Sequence, residues 1–286
     1  MKLILVSDTN TSNMNINFDV TKTIKGRKSV RTFDGNRIKE SDRSALESFI
    51  EKVSNPFDVP VEFRLLDASR YDLKSPVVLG SDLYLAGKVK RCKNFELGFG
   101  YSFETACLYA HSLGLGTVIL AATLKRSSFE KAMDLCEDEV MPTASPIGYP
   151  AQKQSLRESL MRKSLNADDR IAFEKLFFDG NFDTGLKVEN AREFAVALDM
   201  VRLAPSATNK QPWRAVVDKD TVHFYEMKSI KDSSLGDIQK VDMGIALAHF
   251  DLTMQTEGYS GKFIESDPGI KLPKNVHYII SYKSVN

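Results

Sequence analysis

The feature that most constrains this chain is that its two halves repeat one another at a near-constant offset. Ile38-Lys39-Glu40-Ser41 opens an apolar period through Ala45, Leu46, Phe49, Ile50 and Val53, the spacing of one helix face. Leu186-Lys187-Val188-Glu189, 148 positions on, opens another through Phe194, Ala195, Leu198 and Val201. Each is followed by a proline and a β-rich run ending in Asp, over 60–67 in the first half and 212–218 in the second. Further on, Gly100 begins a helical pattern closed by Gly114, and Gly244 begins one closed by Gly258, both pairs 14 residues apart. A glycine just past the last turn suits a helix C-terminus, because it takes positive φ without a Cβ clash.

Two helix-strand-helix-strand units are therefore expected, 1–165 and 166–286, packed face to face into one compact unit. The joining segment, 151–183, is charged and helical in pattern, so it reads as a structured bridge and not as a flexible linker. The helices around 103–113 and 245–256 are apolar on more than one stripe, and such a helix needs cover on several faces. Chance similarity between two ordinary helix-strand units is the competing explanation.

Composition removes several function classes. The 39 Lys+Arg against 38 Asp+Glu leave a formal charge of +1 with no basic run, unlike a nucleic-acid binder, which needs a cationic surplus on one face. Three cysteines, Cys92, Cys107 and Cys136, with no C-x-x-C and no clustered His, offer neither a zinc site nor a disulfide framework. The apolar run Leu3-Ile4-Leu5-Val6 stops at Ser7-Asp8, short of a signal-peptide core or a membrane span, so no membrane partner is expected and the cytoplasm is the default compartment.

Three segments carry candidate chemistry. In Arg27-Lys28-Ser29-Val30-Arg31-Thr32-Phe33, cations flank a hydroxyl; guanidinium offers phosphate a bidentate fork, although the same residues suit a solvated basic turn. In the segment from Leu203 to Trp213, Pro205 ends a helix, and Ser206, Thr208, Asn209 and Gln211 supply a dense set of donors and acceptors. The single Trp of the chain, Trp213, closes that segment as an apolar plate over a ligand or as a core anchor. In Leu113-Gly114-Leu115-Gly116-Thr117-Val118-Ile119-Leu120, glycines lead into a buried strand expected to pair with Pro146-Ile147-Gly148-Tyr149-Pro150. No G-x-G-x-x-G fingerprint and no G-x-x-x-x-G-K-[ST] loop is present, which argues against nucleotide binding by those two routes. His111, His223, His249 and His277 read as packing or surface groups, and the cysteines as small apolar residues.

Taken together, R-x-S-V-R-x-F, A-P-S-x-x-N-x-Q-P-W, L-G-L-G-T and I-G-Y-P resemble the nitroreductase-like flavoproteins, and most closely their fused, two-halved subfamily, over about residues 18 to 283. The resemblance implies an α+β fold, a mostly antiparallel sheet wrapped by helices, with the internal duplication standing in for the family's homodimer and its two interfacial FMN molecules. It implies FMN as cofactor, NAD(P)H as co-substrate and a small-molecule electron acceptor such as a nitroaromatic or quinone. The cofactor-binding residues would be Arg27, Lys28 and Ser29 at the phosphate and ribityl chain, with Arg31 supporting the turn. Pro205, Ser206 and Asn209 would contact the isoalloxazine ring from the other half, and the backbone of Leu120, Ala121 and Ala122 would face the ring. Arg170, or failing it Arg162 or Lys163, would reach the phosphate from beyond the I-G-Y-P strand. No catalytic side chain and no metal is implied, since the flavin carries the chemistry.

The sequence departs from the family pattern in one respect. Only the first half has R-K-S-V-R, and only the second has A-P-S-A-T-N-K-Q-P-W, while Val53-Ser54-Asn55-Pro56-Phe57 stands where a second flavin loop would be. One FMN site per chain is expected, for which a monomer is sufficient, with further association left open. The alternatives are a flavin-binding or degenerate non-catalytic member, or another chemistry of the superfamily such as flavin fragmentation or dehalogenation.

Overall fold

The computed structural model describes residues 16–285, so the run Leu3–Val6 discussed above lies outside the described residues. The first half runs α1 (Val20–Gly26), α2 (Glu40–Ile50), β1 (Val61–Asp67), α3 (Ala68–Tyr71), β2 (Leu83–Lys90), α4 (Phe95–Ser112), α5 (Arg126–Ala132), β3 (Glu139–Val140) and β4 (Ala144–Ile147). The bridge carries α6 (Leu156–Ser164), α7 (Phe173–Leu176) and β5 (Phe177–Asp179). The second half adds α8 (Ala195–Arg202), β6 (Trp213–Asp218), β7 (Thr221–Met227), α9 (Ile238–Thr256), β8 (Gly261–Ile264) and β9 (Val276–Ser284). In the first sheet β2 is flanked by β1 on one side and by β3 and β4 on the other, all antiparallel. The second sheet has the order β5-β6-β7-β9-β8, antiparallel except for the β5–β6 pair. The fold is thus α+β, with helices packed on two mainly antiparallel sheets.

The repeat is visible in the contact between α4 and α9. A Cβ placed on Gly100 would lie 2.1 Å from the Val241 carbonyl oxygen and 3.1 Å from the Ile245 nitrogen. One placed on Gly244 would lie 2.2 Å from the Leu97 carbonyl oxygen and 2.9 Å from the Tyr101 nitrogen. Val241, Gly244 and Ile245 are Leu97, Gly100 and Tyr101 each shifted by 144, so the crossing is self-complementary, as a two-fold interface between identical subunits would be. The glycines let the two backbones touch. They do not start the helices, as the sequence pattern had suggested: α4 and α9 begin five or six residues earlier, at Phe95 and at Ile238, which follows the capping carboxylate of Asp237. The C-terminal expectation holds, with Gly114 at φ 81° and Gly258 at φ 84°. Beyond them the amides of Leu115 and Tyr259 return to the carbonyls of Ala110 and Met254.

Both central helices are buried along most of their length, and one apolar core runs through both halves. The second-half counterpart of α2 differs from its pattern, since α8 is preceded by two turns of 3₁₀ helix over Val188–Asn190 and Arg192–Phe194. The 115–120 segment also differs. It forms single bridges, Gly116 to Gly148 and Leu120 to Ala144, in place of a continuous strand.

Candidate functional site

The motifs of the first half interlock. After α1 the chain runs extended, with Ser29 bridging Thr117, Thr32 bridging Leu79 and Phe33 bridging Pro150. Gly116 lies under Val30, where a Cβ would come within 2.9 Å of that side chain, and Gly148 lies under the Phe33 ring, at 3.0 Å. The glycines of L-G-L-G-T and I-G-Y-P therefore make room for the R-x-S-V-R-x-F segment. Helix α6 docks on the same segment. Its N-cap Ser155 exchanges hydrogen bonds with the Thr32 hydroxyl, Glu158 accepts from the Arg31 amide at 3.2 Å, and Arg162 donates to the Ser29 carbonyl at 3.4 Å.

This docking gathers cations. Arg27, Arg162 and Arg202 each lie within electrostatic reach of Arg170, with Arg31 within reach of Arg162. Burial first, and then the charge of Arg27, pushes the Arg170 guanidinium below its ordinary range. Arg162 pairs with Asp168. Arg170 donates to the carbonyls of Ala167 and Asp169, at 3.0 and 2.8 Å, yet its Nε is buried without a partner, as is Nε of Arg31. Buried donors without acceptors are costly, and an incoming oxygen, an anion's most strongly, would satisfy them.

Arg27 is not the exposed basic turn that the sequence also allowed. Its side chain is 5% exposed and lies 3.4 Å from Glu104 of α4, which is fully buried. The same Glu104 oxygen meets Nε2 of His249 of α9 at 2.9 Å, and Nδ1 of His249 meets the Met200 carbonyl of α8 at 2.9 Å. This pairing of the halves through Arg27, Glu104 and His249 escaped the sequence reading, although an acid and a histidine in the middle of two mostly buried helices were its signal. Lys28 and Lys163 are exposed, and Ser29 is half-buried beside Arg162.

The second half contributes the 203–212 loop. Three of its non-glycine residues stand at positive φ, Thr208 at 50°, Asn209 at 55° and Gln211 at 48°, a conformation that persists only when its surroundings hold it. Both oxygens of the buried Asp242 accept from the Ala207 amide, at 3.0 and 3.1 Å, and the Ser206 hydroxyl accepts from the Gln211 amide at 2.9 Å. Asn209 donates to the carbonyls of Asn166 at 2.6 Å and Asp169 at 3.1 Å. Gln211 donates to the Asp169 carbonyl and accepts from the Ile171 amide. The loop is thereby clamped onto the segment that carries Arg170. Pro205 and Ser206 are half-buried at the start of the loop. Trp213 is fully buried in the core, so it anchors the strand and is no plate over a ligand.

The structure thus brings Arg27, Ser29, Arg162 and Arg170 together and joins Asn209 to them through the bridge. Of the backbone groups expected to face a ring, those of Leu120 and the carbonyl of Ala121 already have partners. Leu120 exchanges both hydrogen bonds with Ala144, and the Ala121 carbonyl accepts from Arg126 at 2.7 Å. Cavities of about 500 Å³, beside Arg43 and Asp67, and 230 Å³, beside Phe57 and Phe263, lie away from these residues. In the first half, the loop equivalent to 203–212 turns inward. Phe57 packs against Tyr101 and Phe263, and Asn55 spends its amide on Val59 and Ser102.

Residues 19–254 match the family model described as "Putative TM nitroreductase", and the chain belongs to that family. A crystal structure of a "putative nitroreductase" from Thermotoga maritima shares the fold over 98% of both chains, with a TM-score of 0.61 at 17% identity. A "putative NADH dehydrogenase/NAD(P)H nitroreductase" from Bacteroides thetaiotaomicron aligns over 49% of this chain and 91% of its own, with 22% identity and a TM-score of 0.41. An FMN-dependent nitroreductase from Clostridium difficile aligns over 49% and 94%, with 13% identity and a TM-score of 0.39. No curated protein matches the chain. No helix among the described residues is long and apolar enough to cross a membrane.

Proposed function

We propose that the protein is an FMN-dependent oxidoreductase that passes electrons from NAD(P)H to a nitroaromatic, a quinone or a similar small acceptor. The observation that carries this reading is the gathering of Arg27 and Arg162 about Arg170, with Arg162 on the Ser29 carbonyl and the buried Nε of Arg170 and of Arg31 left unpaired, where the second half's strained loop clamps onto the bridge. Such a cluster fits a phosphate monoester at the junction of the halves, and the family to which the chain belongs supports flavin as what that phosphate carries. FMN bound there would supply the two-electron chemistry, and the protein's own task is to bind, orient and desolvate it. In this reading Arg162 and Arg170 hold the phosphate and the Ser29 hydroxyl donates to it. Arg27, tied to Glu104, adds positive potential from behind. Pro205 and Ser206 wall the ring side. One such site forms per chain, because the equivalent loop of the first half is packed shut by Phe57.

The engaged Leu120 amide and Ala121 carbonyl favour a second reading, a member that binds flavin without turning over. Purified protein titrated with FMN, and then with NADPH or NADH under anaerobic conditions, separates the two. Bleaching of bound flavin followed by reoxidation with a quinone supports the reductase. Bound flavin that neither nucleotide reduces supports the binder, and protein that takes up no FMN refutes both.

A further inference from the structure

Asn209 and Gln211 come from the segment that the resemblance places at the flavin ring, yet their side chains do something else. The two amide hydrogens of Asn209 are directed at the carbonyls of Asn166 and Asp169, at 2.6 and 3.1 Å, which leaves none for a ring. Gln211 donates to Asp169 at 3.2 Å and accepts from the Ile171 amide at 2.9 Å. These partners lie on both sides of Arg170 in the chain, and Arg170 itself donates to Ala167 and to the same Asp169 carbonyl. Each side-chain orientation is fixed by its partners, since a flipped amide would turn oxygen toward carbonyl oxygen. The left-handed backbone at Asn209 and Gln211 is what aims both side chains at the bridge.

We infer that Asn209 and Gln211 are positioning residues for the phosphate end of the site: they hold the 166–171 turn so that Arg170 faces the anion. This inference rests on the flavin reading above and adds to it that the second half builds the phosphate end of the site as well as the ring end. By linkage, an anion on Arg170 should also hold the 206–211 loop.

The test compares FMN with riboflavin, which has the same ring and ribityl chain without the phosphate. Asn209→Gly keeps the positive φ and deletes both donors. It should weaken FMN at least tenfold while riboflavin affinity stays within twofold, and Arg170→Gln should give the same signature. In the double variant the two losses should not add, because both act through one guanidinium. Inorganic phosphate should raise the melting temperature of the wild type and do so much less in Asn209→Gly. Parallel loss of FMN and riboflavin in Asn209→Gly, through misfolding or loss of a ring contact, overturns the inference, as does full additivity with Arg170→Gln. Wild-type protein that binds riboflavin and FMN equally, or binds neither, overturns the phosphate assignment for Arg170 on which the inference rests.

Discussion

Replacing Arg27 tests whether this residue holds the fold, the anion or both. Its side chain is 5% exposed, and its carboxylate partner Glu104 is fully buried, so Arg27→Ala strands a charge in the interior. Breaking a buried pair from one side costs roughly 3–5 kcal/mol; because His249 still reaches Glu104, we place the loss near the bottom of that range, about 3 kcal/mol. For a chain of this size that corresponds to a fall in melting temperature of roughly 6–12 °C. The double variant Arg27→Ala/Glu104→Gln removes the stranded charge and should recover about half of the loss, the remainder being the packing of the arginine stem. Urea unfolding of the flavin-free proteins reads the stability, and quenching of FMN fluorescence reads the affinity. In the double variant FMN should still bind several-fold more weakly, because the positive potential that Arg27 adds behind the phosphate is gone. Flavin-free Arg27→Ala within about 0.5 kcal/mol of wild type would refute the buried-pair argument. Full FMN affinity in the double variant would leave Arg27 a purely structural role.

At Gly244→Ala two effects oppose each other: the helix gains about 1 kcal/mol of propensity, but the new Cβ sits 2.2 Å from the Leu97 oxygen and 3.0 Å from the Gly100 Cα, backbone atoms that cannot swing aside. We expect a net loss of about 2 kcal/mol or more, and any rise in melting temperature counts against the crossing. Glu226 is buried, and that burial, helped by Asp237, raises its folded pKa to about 7 from the ordinary 4.5. The folded state then binds the extra proton, so this group's contribution is full below about pH 4.5 and is lost as pH rises to about 7, by up to roughly 3 kcal/mol. Glu226→Gln should flatten the stability profile across that window, and an unchanged profile would assign the slope to other groups. Protein unfolded and reconstituted with FMN should release one flavin per chain, where a value near two would restore function to the loop around Phe57. A fragment spanning 1–165 leaves α4 without α9 and should be insoluble or flavin-free; soluble, FMN-binding fragment would sink the shared site.

The sequence pattern exposed the duplication because glycines are legible in two roles that look alike along a chain. Gly114 and Gly258 end helices, and they were readable as such from position alone. Gly100 and Gly244 sit inside helices because another backbone touches them, and nothing in one helix's own period announces a partner 144 residues away. The cationic segment was visible as Arg27-Lys28-Ser29, but its division of labour was not. Whether a guanidinium faces solvent or a buried glutamate depends on what α4 and α9 bring beneath it. The same holds for Asn209, whose residue type announced hydrogen bonding while its partners, on the bridge, are set by tertiary geometry.

The asymmetry between the halves follows from what stands beneath each loop. In the second half Asp242 holds the Ala207 amide, and with it a loop whose polar side chains reach outward to the bridge. In the first half the position 144 residues earlier is Gly98, where a Cβ would lie 2.5 Å from that of Val59 and 3.0 Å from the Asn55 oxygen. With no side chain there, the 53–59 loop settles onto the helix, and Asn55 turns back to hold the loop's own amides of Phe57 and Val59. Phe57 then packs into the aromatic core with Tyr101 and Phe263. An aspartate at one helix and a glycine at its counterpart thus give the two loops different supports, one holding an amide and one leaving room for the loop to pack down. A duplicated fold has two such places, and only the raised loop meets a bridge bearing Arg162 and Arg170. Asp242→Gly should accordingly let the 206–211 loop relax from its left-handed conformation and weaken FMN binding while the first-half loop is unaffected. Hydrogen exchange at 206–211 that is no faster in that variant than in wild type would show that Asp242 does not hold the loop.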